Sequence, residues 1–483
     1  MLKRYHLIWL FVSLLALAAC SEGDDPIIEP TPPTPTEPSN PSNPSEPSDP
    51  STPTGALCAV MHITTQDGAP IDSRDYYVPC QIKIEGQGIY EDYATPEPTA
   101  NESGKMKTDS IRGRGNSTWL WYDKKPYKIK LGKNASLLGI PKGEKYVLLA
   151  NYRDPTRQMN AVAFDMARYA GLPFTNTNRF VEVYLNDKYI GLYQLTEQIE
   201  RGKGRVEIDK ERGLLLSLDF DDGPTEAPEA TDNFLSKIFH SSYSPGGLPV
   251  CVKYPKNPSP EQLAAIRDEF AQLEQVIKDK DYGRLKQICD VRSMMDFLII
   301  QELTRNVELV TPRSMYLYRD ADGLWTFGPV WDFDGGFAYD WGEHHGYFGS
   351  QSWLMGPRGA YDIPDFFDRM FDCEPFLSDY KARFREVGKP MVAYALQEMT
   401  LRLDSLSDAI ARDEGHWPMS VHCTTECSRL SSWLNLRTER YSDLLKSWYP
   451  LSPSYSQVPT AAVFRCRQSL SSHSSRPWLP SNP

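Results

Sequence analysis

The sequence lacks several features that would place it quickly. After its first twenty residues it has no apolar run long and uncharged enough to cross a bilayer, which excludes a chain of helical spans. It has no excess of positive charge. Its 52 lysines and arginines against 64 aspartates and glutamates leave a net charge of −12, which argues against a general nucleic-acid binder. No internal repeat is visible. Nor is there a dense cysteine framework. Eight cysteines follow Cys20 at wide spacings, which permit disulfides in an exported protein without dictating them. Cys58 with Cys80 and Cys423 with Cys427 are the candidate pairs. His422-Cys423 with Cys427 lacks the second ligand pair of a zinc site.

What is present begins with the N-terminus. Lys3 and Arg4 precede an apolar run from Leu7 to Leu17, and the small residues of L-A-A-C end at Cys20. This is the pattern of a bacterial lipoprotein signal peptide, residues 1–20, with Cys20 as the lipidated first residue of the mature chain. The acids in Ser21 to Asp25 resemble the signal that sends Bacteroidetes lipoproteins to the outer face of the outer membrane. Residues 21–57 are acidic and then proline-rich, a composition that favours extended polyproline II and cannot bury a core. They read as a flexible stalk. Residues 58–450 carry the folded domain, and the Ser- and Pro-rich tail, 451–483, reads as disordered. The expectation is an outer-membrane lipoprotein exposed at the cell surface, held to the membrane through Cys20 and monomeric.

Within the domain, β-rich runs come first. Val60 to Thr65, Tyr77 to Glu85, Tyr127 to Leu131, Tyr146 to Ala150 and Gly213 to Leu218 read as strands. Phe180 to Leu185 and Tyr189 to Leu195 flank Asn186-Asp187-Lys188 as a hairpin. Asp154-Pro155 predicts a helix start with proline at its first position, and Gly171 with Pro173 its end. Ser259-Pro260-Glu261-Gln262 is a capping box, and Asp290 opens another helix. Met315 to Tyr318 and Leu324 to Val330 form a hairpin, and 365–449 is mostly helical. The fold class is α+β, with a sheet-rich first half and a helix-rich second half. A two-lobed kinase-like body with a cleft between the lobes fits that order.

The hairpin leads into P-V-W-D-F-D-G-G-F, Pro329 to Phe337. Asp332 and Asp334, two apart after a strand-like run, would project the same way and offer hard oxygen ligands to a divalent cation. Arg112 begins R-G-R-G-N-S-T-W, a polar loop that is not a Walker sequence. Its N–H groups and the guanidinia of Arg112 and Arg114 suit an anion. Lys124, Lys125, Lys128 and Lys130 follow, and a strand lysine reaching phosphate is part of the kinase plan. Glu197 ends the hairpin strand and could pair with one of them. Glu308, in Asn306-Val307-Glu308, could accept a proton from an attacking hydroxyl beside a cation on Asp332. Arg313 and Ser314 precede the hairpin and could face the same cleft.

Together these segments make the chain similar to the CotH family, the spore-coat-protein-H type of atypical kinase. The matching residues are R-G-R-G-N-S-T-W from Arg112, K-K-P-Y-K-I-K-L from Lys124, L-L-A-N-Y-R-D-P-T from Leu148, V-E-V-Y-L-N-D-K-Y-I-G-L-Y-Q-L-T-E-Q-I from Val181 and G-P-V-W-D-F-D from Gly328. The resemblance implies a protein-kinase-like fold that binds ATP and Mg²⁺ and phosphorylates Ser or Thr hydroxyls of proteins. It implies Asp332 at the metal, with Asp334 beside it. It also places Arg112, Arg114, Lys124, Lys128, Lys130 and Glu197 around the nucleotide, and Glu308 with Asp332 in catalysis. The family's usual Asn-x-Asp is here Asn306-Val307-Glu308, whose carboxylate lies about one methylene further out. A displacement of ~1 Å can cost about a hundredfold in rate. That departure, with the scarcity of ATP outside the inner membrane, supports an alternative. In it a catalytically weak or inactive kinase-like scaffold binds a glycan or a protein at the cell surface, with Trp119, Trp121 and Tyr122 as exposed aromatic candidates. Metal-dependent hydrolysis or glycosyl-type chemistry at the same acids is a third reading.

Overall fold

The computed structural model describes residues 58–100, 106–221, 232–321, 323–338, 353–356, 359 and 361–449. The segments expected to be a signal peptide ending at Cys20, a stalk and a tail lie outside the described residues.

The first half contributes β1 (Ala59–Thr65), β2 (Val78–Glu85), β3 (Tyr93–Ala94), β4 (Thr99–Ala100), β5 (Met106–Lys107), β6 (Ser110–Gly113), α1 (Ser117–Trp121), β7 (Tyr127–Ala135), β8 (Gly143–Leu149), α2 (Met159–Ala170), β9 (Arg179–Leu185) and β10 (Lys188–Glu197). Its main sheet runs β1-β9-β10-β8-β7-β6-β2-β3, and β1 also pairs with β2. Strand pairing therefore returns to its start, so the sheet closes into a barrel rather than lying open. Alternation explains the closure. In β2 the side chains of Val78, Cys80, Ile82 and Ile84 are buried while those between them are exposed or partly so. In β7, Tyr127, Ile129 and Leu131 do the same. Each strand thus presents one apolar face, and these faces make a shared core with Met61, Ile63, Ile111, Tyr146, Leu148, Val181, Val183 and Leu195. Each such aliphatic side chain contributes about 1.5–3 kcal/mol on burial.

The second half contributes β11 (Leu214–Leu218), β12 (Asn233–Leu235), β13 (Pro249–Tyr254), α3 (Pro260–Asp279), α4 (Tyr282–Ile288), α5 (Val291–Thr304), β14 (Met315–Arg319), β15 (Trp325–Phe327), α6 (Asp365–Asp368), α7 (Glu374–Ser405), α8 (Ser407–His416) and α9 (Cys423–Ser447). A smaller sheet runs β12-β13-β11-β14-β15. Helix α5 is buried on all sides from Ser293 to Thr304, the polar Asp296, Gln301 and Glu302 included, as a central helix is. The outward Val147 and Leu149 of β8 join α2, α5, α7 and α9 in one large core. Among the described residues no helix is long and apolar enough to cross a membrane.

The capping box at Ser259 forms as expected, and Asp290 caps α5 by accepting from the N–H groups of Arg292 and Ser293. Other expectations need correction. Asp154-Pro155 does not begin α2, which starts at Met159. Asp154 is spent on the turn before it, accepting from the N–H and hydroxyl of Thr156 (2.8 and 2.6 Å) and from the N–H of Met159 (2.7 Å). Neither cysteine pair is bonded, and all seven described cysteines are free thiols. Cys58 donates to the carbonyl of Phe180. The sulfurs of Cys423 and Cys427 lie 3.9 Å apart.

Candidate active site

β15 ends at Phe327, three residues earlier than the sequence suggests, so Asp332 and Asp334 are not strand residues. Their convergence comes from a pinned turn. Asp332 has φ +67°, a left-handed backbone uncommon outside glycine. Its carbonyl accepts from Asn306 Nδ2 at 3.0 Å, and the next N–H, of Phe333, donates to Asn160 Oδ1 at 2.9 Å. The N–H of Phe337 donates to the carbonyl of Thr304 at 2.5 Å. Gly336 permits that approach, because a Cβ there would come within 3.2 Å of the carbonyls of Phe333 and Thr304. Trp331 is buried and stacks on Phe164 of α2 at 5.7 Å. Asn160 on α2 and Thr304 and Asn306 at the end of α5 thereby fix the acidic turn.

Three acids share a field here. Burial, the neighbouring Asp334 and Asp219 hold the Asp332 carboxyl well above its usual range, against the pull of Arg114. Burial and Glu308 push Asp334 up to about 6, opposed by Arg153. Glu308, on the short turn Val307–Leu309, is 5% exposed. Burial and Asp332 push it up to about 8, although Arg313 lies 3.5 Å away. Arg313 also reaches Asp221 at 3.1 Å, and Ser314 donates its N–H to Asp219 at 3.3 Å. Carboxyls that hold protons near neutrality in this way are the expected state of an acid cluster without a counter-cation. Among the described residues no three acid, histidine or cysteine side chains close on a point as a complete metal cage. The donor set suits a hard cation that draws its remaining oxygens from water or from a phosphate-bearing ligand.

Asp219 and Asp221 were not singled out from the sequence. A signal for them existed. Leu214 to Leu218 runs into Asp219-Phe220-Asp221, and Val330-Trp331 runs into Asp332-Phe333-Asp334, the same acid–Phe–acid pattern after an apolar run.

Of the barrel cations, Arg114 reaches the acids. Arg114 lies over the ring of Trp331, 5.7 Å from guanidinium carbon to ring centre, and acts on Asp332. Arg112 and Lys128 are register partners on β6 and β7, and Lys130 is opposite Ser110 and Lys145. Inward residues alternate with these, so Arg112, Lys128 and Lys130 lie on the outer face of the barrel. Burial, then Arg112 and Lys145, pull Lys128 down to about 7. Lys145 is ion-paired with Glu200.

Two predicted cofactor residues are placed elsewhere. Lys124 is 1% exposed, with its ammonium donating to Asp413 Oδ1 and the carbonyl of Leu192, both at 2.7 Å. Arg157 meets the other oxygen of Asp413 at 2.9 Å. Lys124 therefore fastens the barrel to α8, and its donors are spent on protein. Glu197 accepts from the N–H and hydroxyl of Thr177 (2.7 and 2.5 Å) and from Thr196. The ion pair expected between Glu197 and one of the lysines from Lys124 to Lys130 does not form among the described residues, and the nearby Glu200 pairs with Lys145 of β8.

A family model described as CotH kinase protein matches residues 111–441, most of the chain. The chain belongs to this family. No curated protein matches the chain. The CotH match spans every residue named above as acid or cation of the site, Arg112 to Asp334.

Proposed function

We propose that this CotH-family chain is an ATP-dependent atypical protein kinase that transfers phosphate to a Ser or Thr hydroxyl of a protein. The observation that carries the reading is the meeting of Glu308, Asp332 and Asp334 beneath Arg114, with Arg112 and Lys128 on the adjoining strands. Asp332 and Asp334 would hold Mg²⁺. Arg112, Arg114, Lys128 and Lys130 would face the phosphates, joined by Lys145. When bound, Mg-ATP supplies the transferable phosphoryl group and the positive charge that offsets its build-up of negative charge. Glu308, poised near neutrality, can take the proton of an incoming hydroxyl, and Arg313 holds its carboxylate in place. Burial of these acids is what makes their charge–charge interactions strong. A second lobe-like body, the helical half, closes on the barrel in this reading. We place the protein on the outer membrane through lipid on Cys20, with the domain at the cell surface.

Thermal melting tests nucleotide binding. Mg-ATP raises the melting temperature of the wild type and leaves Asp332→Ala unmoved. Equal melting of both with and without Mg-ATP would refute it. Radiolabel transfer from γ-labelled ATP separates turnover from binding. Glu308→Gln abolishes it, whereas Glu308→Asp retains or raises it.

A further inference from the structure

On the barrel, a groove of about 570 Å³ that none of the site's acids lines opens between β10 and the residues after α8. Tyr127, Tyr189, Tyr193 and Trp417 line it, with Asp123 and Lys188 at its rim. Its volume and its mostly aromatic wall with few polar groups are those of a small-molecule or oligomer site.

The groove's main chain excludes one common occupant. The carbonyl of Ile190 accepts from the indole N–H of Trp417 at 2.9 Å. Leu192 donates its N–H to Asp413 at 2.9 Å, and its carbonyl accepts from Lys124. β9 pairs along β10 on one side and β8 only with Gln194–Glu197 on the other, so at the groove it is these side chains that occupy the main-chain groups of Ile190 and Leu192. A peptide could not add as a strand, because that mode needs unpaired main-chain groups. Recognition must come from ring faces and side-chain polar atoms. Lys125 also borders the groove, but its ammonium donates to the carbonyl of Trp119 at 2.7 Å. Asp123 and Lys188 carry opposite charges, and among the described residues no hydrogen bond or ion pair engages either side chain. The rim therefore carries mixed charge, Asp123 against Lys125 and Lys188, with no run of one sign. That complements an uncharged polyhydroxyl ligand better than a polyanion or polycation.

We propose that this groove is a carbohydrate-binding site that takes a neutral oligosaccharide. The C–H faces of its sugars lie on the partly exposed Trp417 and Tyr189, with the buried Tyr127 and Tyr193 as the floor, and Asp123 and Lys188 bond its hydroxyls. Amphipathic rings suit such ligands because each presents an apolar face beside a polar edge. The rings continue beyond the groove. Tyr189 meets His416 at 5.5 Å, His416 meets Trp417 at 4.8 Å, Trp417 meets Tyr152 at 5.8 Å and Tyr152 meets Tyr122 at 5.5 Å. Tyr122 lies under Arg153, which acts on Asp334. An oligosaccharide longer than the groove has a ring-paved path toward the acids. The groove itself stands independently of the kinase reading.

Native gels cast with hydroxyethylcellulose, soluble starch, galactomannan or xylan test the proposal on the intact protein. At least one matrix slows the wild type. Trp417→Ala abolishes the retardation and Asp123→Ala weakens it by about fivefold or more, in the range expected for loss of a single polar contact. Asp334→Asn migrates as the wild type does, which separates this site from the nucleotide reading. Should Trp417→Ala melt early, Asp123→Ala carries the test, because that side chain is exposed and holds no other element. Free migration of the wild type in all four matrices would overturn the proposal. So would unchanged retardation of Asp123→Ala.

Discussion

Replacing Glu308 by Gln should stabilise the protein without cation at alkaline pH, an unusual expectation for a buried site residue. The ordinary value for a glutamate, 4.5, is raised to about 8 here, first by burial and then by Asp332. The folded state therefore binds a proton more tightly than the unfolded state. The stability tied to that proton is fully present below about pH 4.5 and is lost as pH rises through about 8. The interval of about 3.5 pH units is worth at most about 5 kcal/mol at 1.36 kcal/mol per unit. Asp332 and Asp334 share the same protons, so removing one carboxylate recovers only part, about 1–3 kcal/mol. Gln is isosteric with the protonated acid and keeps a donor. At pH 5 wild type and Glu308→Gln should melt together. At pH 8.5 the variant should melt a few degrees higher, at about 2 °C per kcal/mol for a domain of this size. Adding Mg²⁺ should narrow the gap, because a cation relieves the same repulsion in the wild type. The measurement is calorimetry or fluorescence melting from pH 5 to 8.5. A variant that melts below the wild type at pH 8.5, or a gap that does not change with pH, would refute the reasoning.

Other outcomes follow from the same structure. Asp413→Ala leaves Lys124 and Arg157 buried without their counter-charge, and should cost about 3–5 kcal/mol by denaturant unfolding, whereas Asp404→Ala on α7 should be near neutral. Lys128→Met should weaken the Mg-ATP thermal shift by about tenfold in apparent affinity while leaving the melting temperature without nucleotide equal or higher, since burial already disfavours that ammonium. Gly336→Ala should lower stability by about 1–3 kcal/mol and reduce transfer, because its Cβ would press on the Thr304 and Phe333 carbonyls that hold the acidic turn. Arg313→Lys should lower transfer more than nucleotide binding, because it touches Glu308 and Asp221 rather than the barrel cations.

The parts of the fold legible in the sequence were those set by local pattern. The alternation in Val78 to Glu85, the capping box at Ser259 and the Asp290 cap each act within a few residues, and the structure reproduces them. The start of α2 was misread because Asp154 and Pro155 make a convincing cap on paper. The turn that Asp154 actually closes, through Thr156 and Met159, is longer than a single cap. Glu197 and Lys124 were misassigned for a different reason. A charged residue near a motif looks available until its partner is known. The partners here lie far along the chain: Asp413 is 289 residues from Lys124, and Thr177 is 20 residues before Glu197.

The sequence by itself determined the element types, the sheet-then-helix order and the identity of Glu308, Asp332 and Asp334 as the acids to watch. Hydrophobic period, caps and short motifs are written in neighbouring residues. Tertiary structure alone decided that the first sheet closes through β1 and β2, that Asp219 and Asp221 join the acids, and that Lys124 serves α8. Those outcomes depend on which distant charges and strand edges are brought together, and on how far burial then shifts the protons they share.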